Sequence, residues 1–498
     1  MDNPATDDDK LREECGVVAV FGVDEAALHA ALGLHELQHR GEEACGVVSL
    51  DSAGVMHTRL RMGHVGEHFG DAKAGKLRQR LPGYAALGHT RYSTAGGSTE
   101  ANIQPFVMRL SCGTVALGHN GNLTNANILE EQLTESGSIF RSTSDSEVIL
   151  QLMARPGGNG VVSRFVDALK QIEGGYALAG LGADEKVLFA ARDPNGIRPL
   201  VMGWLPHAKG EALVLASETC AIEEMGARVE RAVLPGEVIE ARMNNFGEVA
   251  LKSTFPLPPA PYRPDVFEFI YFARPDSVFD GISISQARQR MGHELARENP
   301  QLTSAVLPNA VVVPVLDSGL DSALGFVAAS GIPQAPGLLR SHYAGRSFIQ
   351  PSQDGRDQMV SRKHRVNRAE VMGKEVVLVD DSLVRGTTMG RLVREMYAKG
   401  ATAVHVLIAC PPILHGDYYG IDMPDEDRLF AVRHNGDVAA MCDELGATSL
   451  TYLSIDGLYR AILGHARNPA APQLADHVLT GDYPTRLADR AAGMMGPG

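Results

Sequence analysis

The chain has 498 residues, of which 44% are hydrophobic and 21% charged, and its net charge at pH 7 is −14. This composition predicts a globular protein with two large domains. It excludes a membrane protein, because no stretch approaches the ~20 uninterrupted apolar residues of a spanning helix, and it disfavours a nucleic-acid partner, whose phosphates attract clustered Lys and Arg.

The N-terminal segment, residues 1–14, is acidic and lacks the apolar core of a targeting signal, so we expect a cytoplasmic protein. Cys15 follows it and opens an apolar run. If residues 1–14 are a leader that is removed, Cys15 carries both a thiol and a free α-amino group. Such an amine titrates at roughly pH 7.7–8.0 and can serve as the base that activates the thiol. The alternative is a buried packing cysteine, since Cys45 opens a nearly identical Cys-Gly-Val-Val run.

Between Cys15 and about residue 240, short β-rich runs punctuated by glycine accompany two predicted helices. The predicted strands are 46–50, 84–88, 114–118, 176–180 and 186–190, and the predicted helices are 25–39 and 146–154. This pattern predicts an α+β domain in which helices pack on antiparallel sheets. Segment 256–261 has four prolines in six residues, which can continue neither a helix nor an inner strand. We therefore expect the first domain to span 15–255.

After the proline segment the pattern changes to strand, loop and helix. Predicted strands 310–315 and 375–379 precede predicted helices 321–329 and 389–399. This alternation predicts an α/β domain, 262–465, with a parallel sheet covered by helices on both faces. Ligands of such sheets bind at the carboxyl ends of the strands, so loops 316–320 and 380–388 are the expected site. Residues 466–498 form a C-terminal tail with no predicted function, either a helix against a neighbour or a loose end.

The most specific stretch is 376–388, Val-Val-Leu-Val-Asp-Asp-Ser-Leu-Val-Arg-Gly-Thr-Thr, an apolar strand ending in two acids and a loop ending at a helix start. The adjacent carboxylates, Asp380 and Asp381, can bind ribose hydroxyls or a magnesium ion. The loop amides, the hydroxyls of Thr387 and Thr388 and the helix N-terminus can bind a phosphate. The alternative is ordinary turn and capping chemistry. The whole pattern favours a phosphorylated sugar as the ligand.

This stretch resembles the phosphoribosyl pyrophosphate (PRPP) signature of type I phosphoribosyltransferases. The resemblance implies that Asp380, Asp381, Arg385, Gly386, Thr387 and Thr388 bind PRPP, and that Ser318, Asp380 and Asp381 hold one Mg²⁺ per subunit. Loop 315–319 is similar to the pyrophosphate loop of that family, although Leu316 stands where relatives usually have proline. The basic segments 340–349 and 362–365 are expected to form a lid over the polyphosphate. Within them, His342 is a second departure from the family.

Three stretches in the first domain, 88–96, 119–125 and 142–147, resemble the glutaminase domain of N-terminal-nucleophile amidotransferases. The resemblance implies an αββα fold with Cys15 as the nucleophile. It further implies that Arg91 and Asp145 bind the α-carboxylate and α-ammonium of glutamine, and that Asn120 and Gly121 form the oxyanion hole. An Asn-Gly pair by itself is also a common hairpin turn.

One further motif, His35-Glu-Leu-Gln-His39, matches the His-Glu-x-x-His pattern of zinc proteases. We reject zinc here because Glu42 occupies the position where the extended zinc motif requires glycine, and no third histidine follows. Both histidines are therefore predicted to be structural.

Taken together, the two halves resemble the glutamine phosphoribosylpyrophosphate amidotransferases. That family implies synthesis of 5-phosphoribosylamine, glutamate and pyrophosphate from glutamine, PRPP and water, the first committed step of purine synthesis. It also implies internal transfer of ammonia, a homotetramer and feedback inhibition by purine nucleotides. Some relatives carry an iron–sulfur cluster on four cysteines. Because Asp417 stands where those relatives have a cysteine, we expect no cluster in this chain.

Two other classes of function compete with this interpretation. The first is a regulatory protein that binds PRPP or nucleotides without catalysis, which the complete set of Cys15, Arg91, Asn120 and Asp145 disfavours. The second is an amidotransferase that acts on another acceptor, such as a sugar phosphate. The 380–388 pattern disfavours this second class, because a sugar-isomerase partner domain would lack it.

Overall fold

Two antiparallel sheets stacked face to face form the N-terminal half of the chain. A computed structural model describes residues 12–13, 15–70, 73–92, 99–340 and 364–494. In spatial order the first sheet contains Arg228–Ala232, Val201–His207, Gly210–Ala216, Cys15–Phe21, Ala85–Arg91, Ala44–Leu50 and Met56–Met62. The second contains Val249–Thr254, Val238–Met243, Val187–Arg192, Gly174–Gly182, Gly113–Leu123 and Phe106–Leu110.

Alternation of side chains along these strands explains the layered packing. Val17, Ala19 and Phe21 point into an apolar core shared with Ala177 and Ala179 of the other sheet, while Val18 and Val20 face the helices outside. Helices Ala26–Glu36, Val65–Phe69, Ala74–Arg80 and Thr219–Glu224 cover the first sheet, and Ala126–Glu135, Asp145–Ala154 and Val161–Leu169 cover the second. The predicted αββα domain is therefore confirmed.

The second half is built on a four-stranded parallel sheet, as the strand-loop-helix pattern predicts. Its strands in spatial order are Ala310–Pro314, Glu375–Asp380, Ala403–Ile408 and Ser449–Tyr452. Its helices are Ile284–Glu298, Leu320–Ser330, Arg368–Val371, Thr387–Ala398, Phe430–Arg433, Val438–Leu445 and Ile455–Leu463. Among the residues that the structure describes, three strand pairs lie outside this sheet: Val278–Phe279 with Ile282–Ser283, Leu338–Arg340 with His364–Val366, and Arg12–Glu13 with Ile421–Asp422.

The C-terminal tail packs against both halves of the molecule. Leu474, Val478 and Leu479 are buried in the apolar core of the parallel-sheet half, so that core extends beyond residue 465. Short helices His477–Thr480 and Ala488–Ala491 follow. None of the helices within the described ranges is long and apolar enough to cross a membrane.

A buried ionic network joins the two halves. Arg40 donates to Glu218 from the same half and to Glu268, which begins a π-helical turn, Glu268–Phe272, in the other half. Glu268 also lies 3.6 Å from Arg198, which donates to Asp265 at 3.2 Å. All these side chains are at most 2% exposed. Because breaking a buried pair leaves an uncompensated charge, the network stabilises one arrangement of the two halves.

The same network explains why the predicted helix 25–39 is shorter than expected. The α-helix ends at Glu36, and Gln38–Arg40 forms a 3₁₀ turn. In that turn His39 Nε2 lies 2.6 Å from Glu218 Oε1, while Arg40 reaches the interior. These contacts with distant residues favour the tighter turn over the helical periodicity of the local sequence.

Candidate active site

Cys15 and Arg91 lie side by side at one end of the first sheet. Cys15 is the first residue of strand Cys15–Phe21, and its register partner on the neighbouring antiparallel strand is Arg91, the last residue of Ala85–Arg91. Cys15 is 6% and Arg91 7% exposed. The register therefore makes Cys15 a neighbour of Arg91, whose guanidinium is the group best suited to a carboxylate.

Cys45, in contrast, is a packing residue. It lies in the interior of the core beneath helix Ala26–Glu36, and burial raises the pKa of its thiol to about 12. The thiolate is the reactive form of cysteine, so Cys45 is inert near neutral pH. The two similar Cys-Gly-Val-Val runs thus differ in their surroundings, since Cys15 begins its strand whereas Cys45, the second residue of strand Ala44–Leu50, is part of the apolar core under the helix.

Asn120 and Gly121 lie on strand Gly113–Leu123 of the second sheet. His89, two residues before Arg91, donates from Nε2 to the carbonyl of His119 at 2.9 Å. This hydrogen bond crosses between the sheets and brings the Arg91 strand next to the Asn120 strand. The predicted glutaminase residues therefore converge at one region between the sheets.

The Asn120 side chain is fully buried, and neither of its amide atoms bonds to any residue that the structure describes. A buried unpaired amide is costly and is rare in folded proteins. Gly121 has φ of +129°, and a Cβ there would lie 2.1 Å from the carbonyl oxygen of Gly175. Only glycine fits that position. The pair is therefore a strand feature with an unused donor, not a hairpin turn, and an unused donor is what an oxyanion hole requires.

Asp145 begins helix Asp145–Ala154 and is held by fixed donors. Its Oδ2 accepts from the backbone N–H of Leu123 at 2.9 Å and lies 3.6 Å from His119 Nδ1. Burial alone would raise the pKa of Asp145, but His119 and the surrounding N–H groups outweigh it and hold the pKa below its ordinary value. The carboxylate is therefore ionised at neutral pH, as binding of an ammonium group requires.

His89 is a site residue that the sequence did not single out. It is fully buried, and burial is the main reason that its pKa falls to about 3. The ring is therefore neutral at neutral pH, with Nε2 carrying the proton that it donates to His119. Only its position two residues before Arg91 could have indicated it from sequence.

The predicted phosphate site lies at the carboxyl end of the parallel sheet. Strand Glu375–Asp380 ends at the first acid, and helix Thr387–Ala398 begins after Gly386. Gly386 has φ of +80°, and a Cβ there would lie 2.7 Å from the Phe430 ring. A pocket at this position is lined by Ser318, Asp380, Asp381 and Thr388 of the predicted set, together with Tyr271, Val315, His364, Ser382, Leu383, Val384 and Met389. Arg385, Gly386 and Thr387 lie on the same loop and helix start but do not line this pocket.

The pyrophosphate-type loop is positioned beside the two acids. Ser318 Oγ donates to Asp380 Oδ1 at 3.3 Å, and His364 Nε2 lies 2.6 Å from the carbonyl oxygen of Leu316, whose peptide bond to Asp317 is cis. Asp317 is also paired with Arg340. Tyr271 is a pocket residue that sequence reasoning missed, because it lies outside the 376–388 pattern, whereas His364 belongs to the predicted lid segment 362–365. Of the predicted lid, residues 341–363, including His342, lie outside the described residues.

The two histidines of the zinc-like motif do not face each other. His35 is 64% exposed and lies 3.3 Å from Glu36, whereas His39 contacts Glu218. Both have carboxylate partners in the structure. Within the part of the chain that the structure describes, no three His, Cys, Asp or Glu side chains are grouped so that they could hold a metal by themselves.

Comparison with known proteins agrees with both halves. Residues 89–224 match the family model of a glutamine amidotransferase domain. The chain is 47% identical over 490 residues to an amidophosphoribosyltransferase of Rhizobium etli, covering 98% of this chain and 95% of that one. It is 40% identical over 478 residues to an amidophosphoribosyltransferase of Bacillus subtilis, covering 96% and 95%. A solved B. subtilis glutamine PRPP amidotransferase complexed with ADP and GMP matches with a TM-score of 0.84 and 38% identity, covering 95% of this chain and 98% of that one.

An αββα glutaminase domain joined to a parallel-sheet domain with a phosphate loop defines a class, the glutamine amidotransferases that carry a phosphoribosyltransferase domain. Relatives of this identity match the chain over nearly its whole length. The chain therefore belongs to the amidophosphoribosyltransferase family, as its motifs predicted.

Proposed function

We propose that this chain is a glutamine-dependent amidophosphoribosyltransferase. It makes 5-phosphoribosylamine, glutamate and pyrophosphate from glutamine, PRPP and water, the first committed step of purine synthesis. The observation that carries this proposal is the pairing, in one chain, of the Cys15 and Arg91 strand ends with the acid-lined loop at Asp380. The glutaminase site alone would not explain the acid-lined loop, and a phosphoribosyltransferase site alone would not explain Cys15 and Arg91.

The glutaminase step begins at Cys15 once the leader, residues 1–14, is removed. The new α-amine accepts the thiol proton, and the sulfur attacks the side-chain amide carbon of glutamine. Asn120 and the N–H of Gly121 stabilise the resulting oxyanion, and ammonia leaves with the transferred proton. Water then hydrolyses the thioester to glutamate. Arg91 and the ionised Asp145 hold the α-carboxylate and α-ammonium of the substrate.

The transferase step takes place at the Asp380 loop. Ammonia passes internally between the sites, because in water it would be mostly ammonium and not a nucleophile. It attacks C1 of PRPP, pyrophosphate departs with the bonding electrons, and the new ammonium group gives one proton to solvent to become the amine. Asp380, Asp381, Arg385, Gly386, Thr387 and Thr388 bind the substrate. Carboxylates close to a hydroxyl are ligands that suit Mg²⁺, so Ser318, Asp380 and Asp381 would hold one ion together with substrate oxygens. That ion would neutralise charge on the departing pyrophosphate.

Asp417, which stands where some relatives have a cluster-binding cysteine, is a buried hydrogen-bond acceptor in this chain. Asp417 is 1% exposed, and its Oδ2 accepts from the N–H groups of Tyr419, Gly420 and Ile421. Its Oδ1 lies 2.6 Å from His477 Nε2. Burial would raise the pKa of Asp417, but His477 and these N–H groups hold it low. A carboxylate so engaged supports our expectation that this chain has no iron–sulfur cluster.

The remaining properties follow the family. The solved relative is complexed with ADP and GMP, which supports purine nucleotides as inhibitors of this chain. We also propose a homotetramer, a cytoplasmic location, and no membrane or nucleic-acid partner. The proposed units are the leader at 1–14, the glutaminase domain at 15–255, the phosphoribosyltransferase domain at 262–465 and the tail at 466–498.

Two variants assayed with two nitrogen donors test the proposal. Cys15→Ala should abolish glutamine-dependent product formation and retain ammonia-dependent formation, whereas Asp380→Ala should lose both. Cys45→Ala is the matched control, since it removes the other Cys-Gly-Val-Val thiol and should retain both activities. Glutamine-dependent turnover by Cys15→Ala would show that the assignment of the nucleophile is wrong.

Removal of the leader has its own measurement. The intact mass of the purified active enzyme should correspond to a chain that begins at Cys15. Full glutaminase activity in a preparation whose mass includes residues 1–14 would contradict the role of the α-amine as base.

A further inference from the structure

The end of the C-terminal tail covers the start of helix Ala126–Glu135. Asp489, which is fully buried, accepts from the backbone N–H of Asn127 at 2.8 Å through Oδ2 and from that of Ile128 at 3.1 Å through Oδ1. These are first-turn N–H groups that have no partner within a helix. The helix's own N-cap residue, Asn125, does not cap them, because its side chain bonds to Gln171 and Glu173 instead.

The capped turn directly follows strand Gly113–Leu123, which carries Asn120 and Gly121 and is called the oxyanion strand below. Strand Gly113–Leu123 ends one residue before Thr124, whose carbonyl accepts from Asp489 N at 2.9 Å and whose hydroxyl donates to the Arg486 carbonyl at 2.8 Å. The N–H of Leu123 donates to Asp145. The tail therefore fixes Thr124, the residue that follows Leu123, and Leu123 is the residue whose N–H binds the Asp145 carboxylate.

The other side of the tail is fixed to the phosphoribosyltransferase half. Thr485 bonds to the Tyr419 hydroxyl at 3.0 and 3.1 Å, Tyr483 donates to the Gly416 carbonyl at 2.8 Å, and Arg490 lies over the Tyr418 ring. Segment 416–421, which these tail residues contact, also contacts the strand Gly113–Leu123 directly, since Asn122 Nδ2 donates to the Tyr418 carbonyl at 3.0 Å. The tail and segment 416–421 thus form a junction between the two halves.

We propose that the C-terminal tail positions the oxyanion strand and that Asp489 is its positioning residue. This inference rests on the proposed roles of Asn120 and Gly121. A buried anion at a helix N-terminus is favourable through both hydrogen bonding and the helix dipole. Here that anion comes from the far end of the chain, so capping the helix also fixes the end of the strand before it. Loss of the carboxylate frees the Thr124–Ile128 turn and with it the two donors.

The test is the difference between the two nitrogen donors in Asp489→Ala. A displacement of about 1 Å at a reacting group costs as much as 10²-fold, and we expect glutamine-dependent kcat to fall about tenfold while ammonia-dependent kcat stays within twofold. The KM for glutamine should change less than kcat. Asp489→Asn keeps one acceptor oxygen and should show a smaller loss in the same direction, and it decides the question if the alanine variant does not fold.

Asp437→Ala is the matched control. Asp437 caps helix Val438–Leu445 through the N–H groups of Ala439 and Ala440, so its removal deletes the same kind of cap in the other half. The Asp437→Ala variant should lower thermal stability and leave the ratio of glutamine-dependent to ammonia-dependent kcat unchanged. The proposal is overturned if Asp489→Ala and Asp489→Asn keep glutamine-dependent kcat within twofold, or if both activities fall in parallel.

Cys15→Ala and Asn120→Ala, measured in the same assay, separate this proposal from the function on which it rests. If Cys15→Ala retains glutamine-dependent turnover, or Asn120→Ala keeps its glutamine-dependent kcat within threefold, the proposed glutaminase site is wrong. If both lose it while the Asp489 variants do not, only the positioning role of the tail is wrong.

Discussion

Asn120→Ala tests the proposed oxyanion hole most sharply, because the structure predicts a loss of catalysis without a loss of stability. The amide is fully buried, and neither of its polar atoms bonds to a described residue. An unpaired buried polar group costs about 1–3 kcal/mol, so its removal should leave the thermal midpoint unchanged or slightly raised. Removing one oxyanion donor costs about 10²–10³-fold in kcat, or roughly 2.7–4 kcal/mol. We expect that loss with glutamine and none with ammonia.

The assay compares product formation with glutamine and with ammonia, together with thermal unfolding. Asn299→Ala is the matched control, since Asn299 is also a buried asparagine but donates to the Leu295 carbonyl at 2.8 Å in the other half. It should lower the midpoint and retain glutamine-dependent activity. If Asn120→Ala retains glutamine-dependent kcat within threefold, or loses stability as Asn299→Ala does, the reasoning from the unpaired amide is refuted.

Three further perturbations have defined outcomes. Glu268→Gln removes one of the two carboxylates that pair with the buried Arg40, while Glu218 remains, so we expect the urea midpoint to fall by the equivalent of about 3 kcal/mol, the low end of the cost of breaking a buried pair. Glu294→Gln, at a partly exposed ion pair, should cost about 1 kcal/mol or less, and equal effects would contradict the network. The folded pKa of His89, about 3, lies below the unfolded value near 6.5, so the unfolded chain binds the extra proton and stability falls as the pH drops through that window. His89→Gln should therefore reduce the stability difference between pH 8 and pH 5 by about 2 kcal/mol, and an unchanged difference would show that His89 is not buried neutral. Ser318→Ala should raise the Mg²⁺ concentration required for transfer with both nitrogen donors and leave glutamine hydrolysis unchanged; an unaltered Mg²⁺ dependence would remove Ser318 from the proposed metal site.

Local patterns predicted the residues whose chemistry depends on immediate neighbours in sequence. The strand, acid pair, loop and helix start of 376–388 appear in the structure as strand Glu375–Asp380 and helix Thr387–Ala398. Periodicity indicated the start of helix Ala26–Glu36 but not its end, because the residues after Glu36 are set by partners far away in the chain. Composition gave the tail no role, since Asp489 has meaning only beside the N–H groups of Asn127 and Ile128.

The sequence by itself determined the two domain types, their order and the motif residues, because hydrophobic periodicity, proline and loop chemistry act over a few neighbouring positions. Only the tertiary structure decided which of two similar cysteines begins a strand beside Arg91, and which asparagine has an unpaired amide. It also decided that Tyr271 and His364 line the pocket at the Asp380 loop and that Asp489 caps a helix in the first domain. Burial, register and desolvation are properties of residues brought together from distant parts of the chain, so no local pattern encodes them.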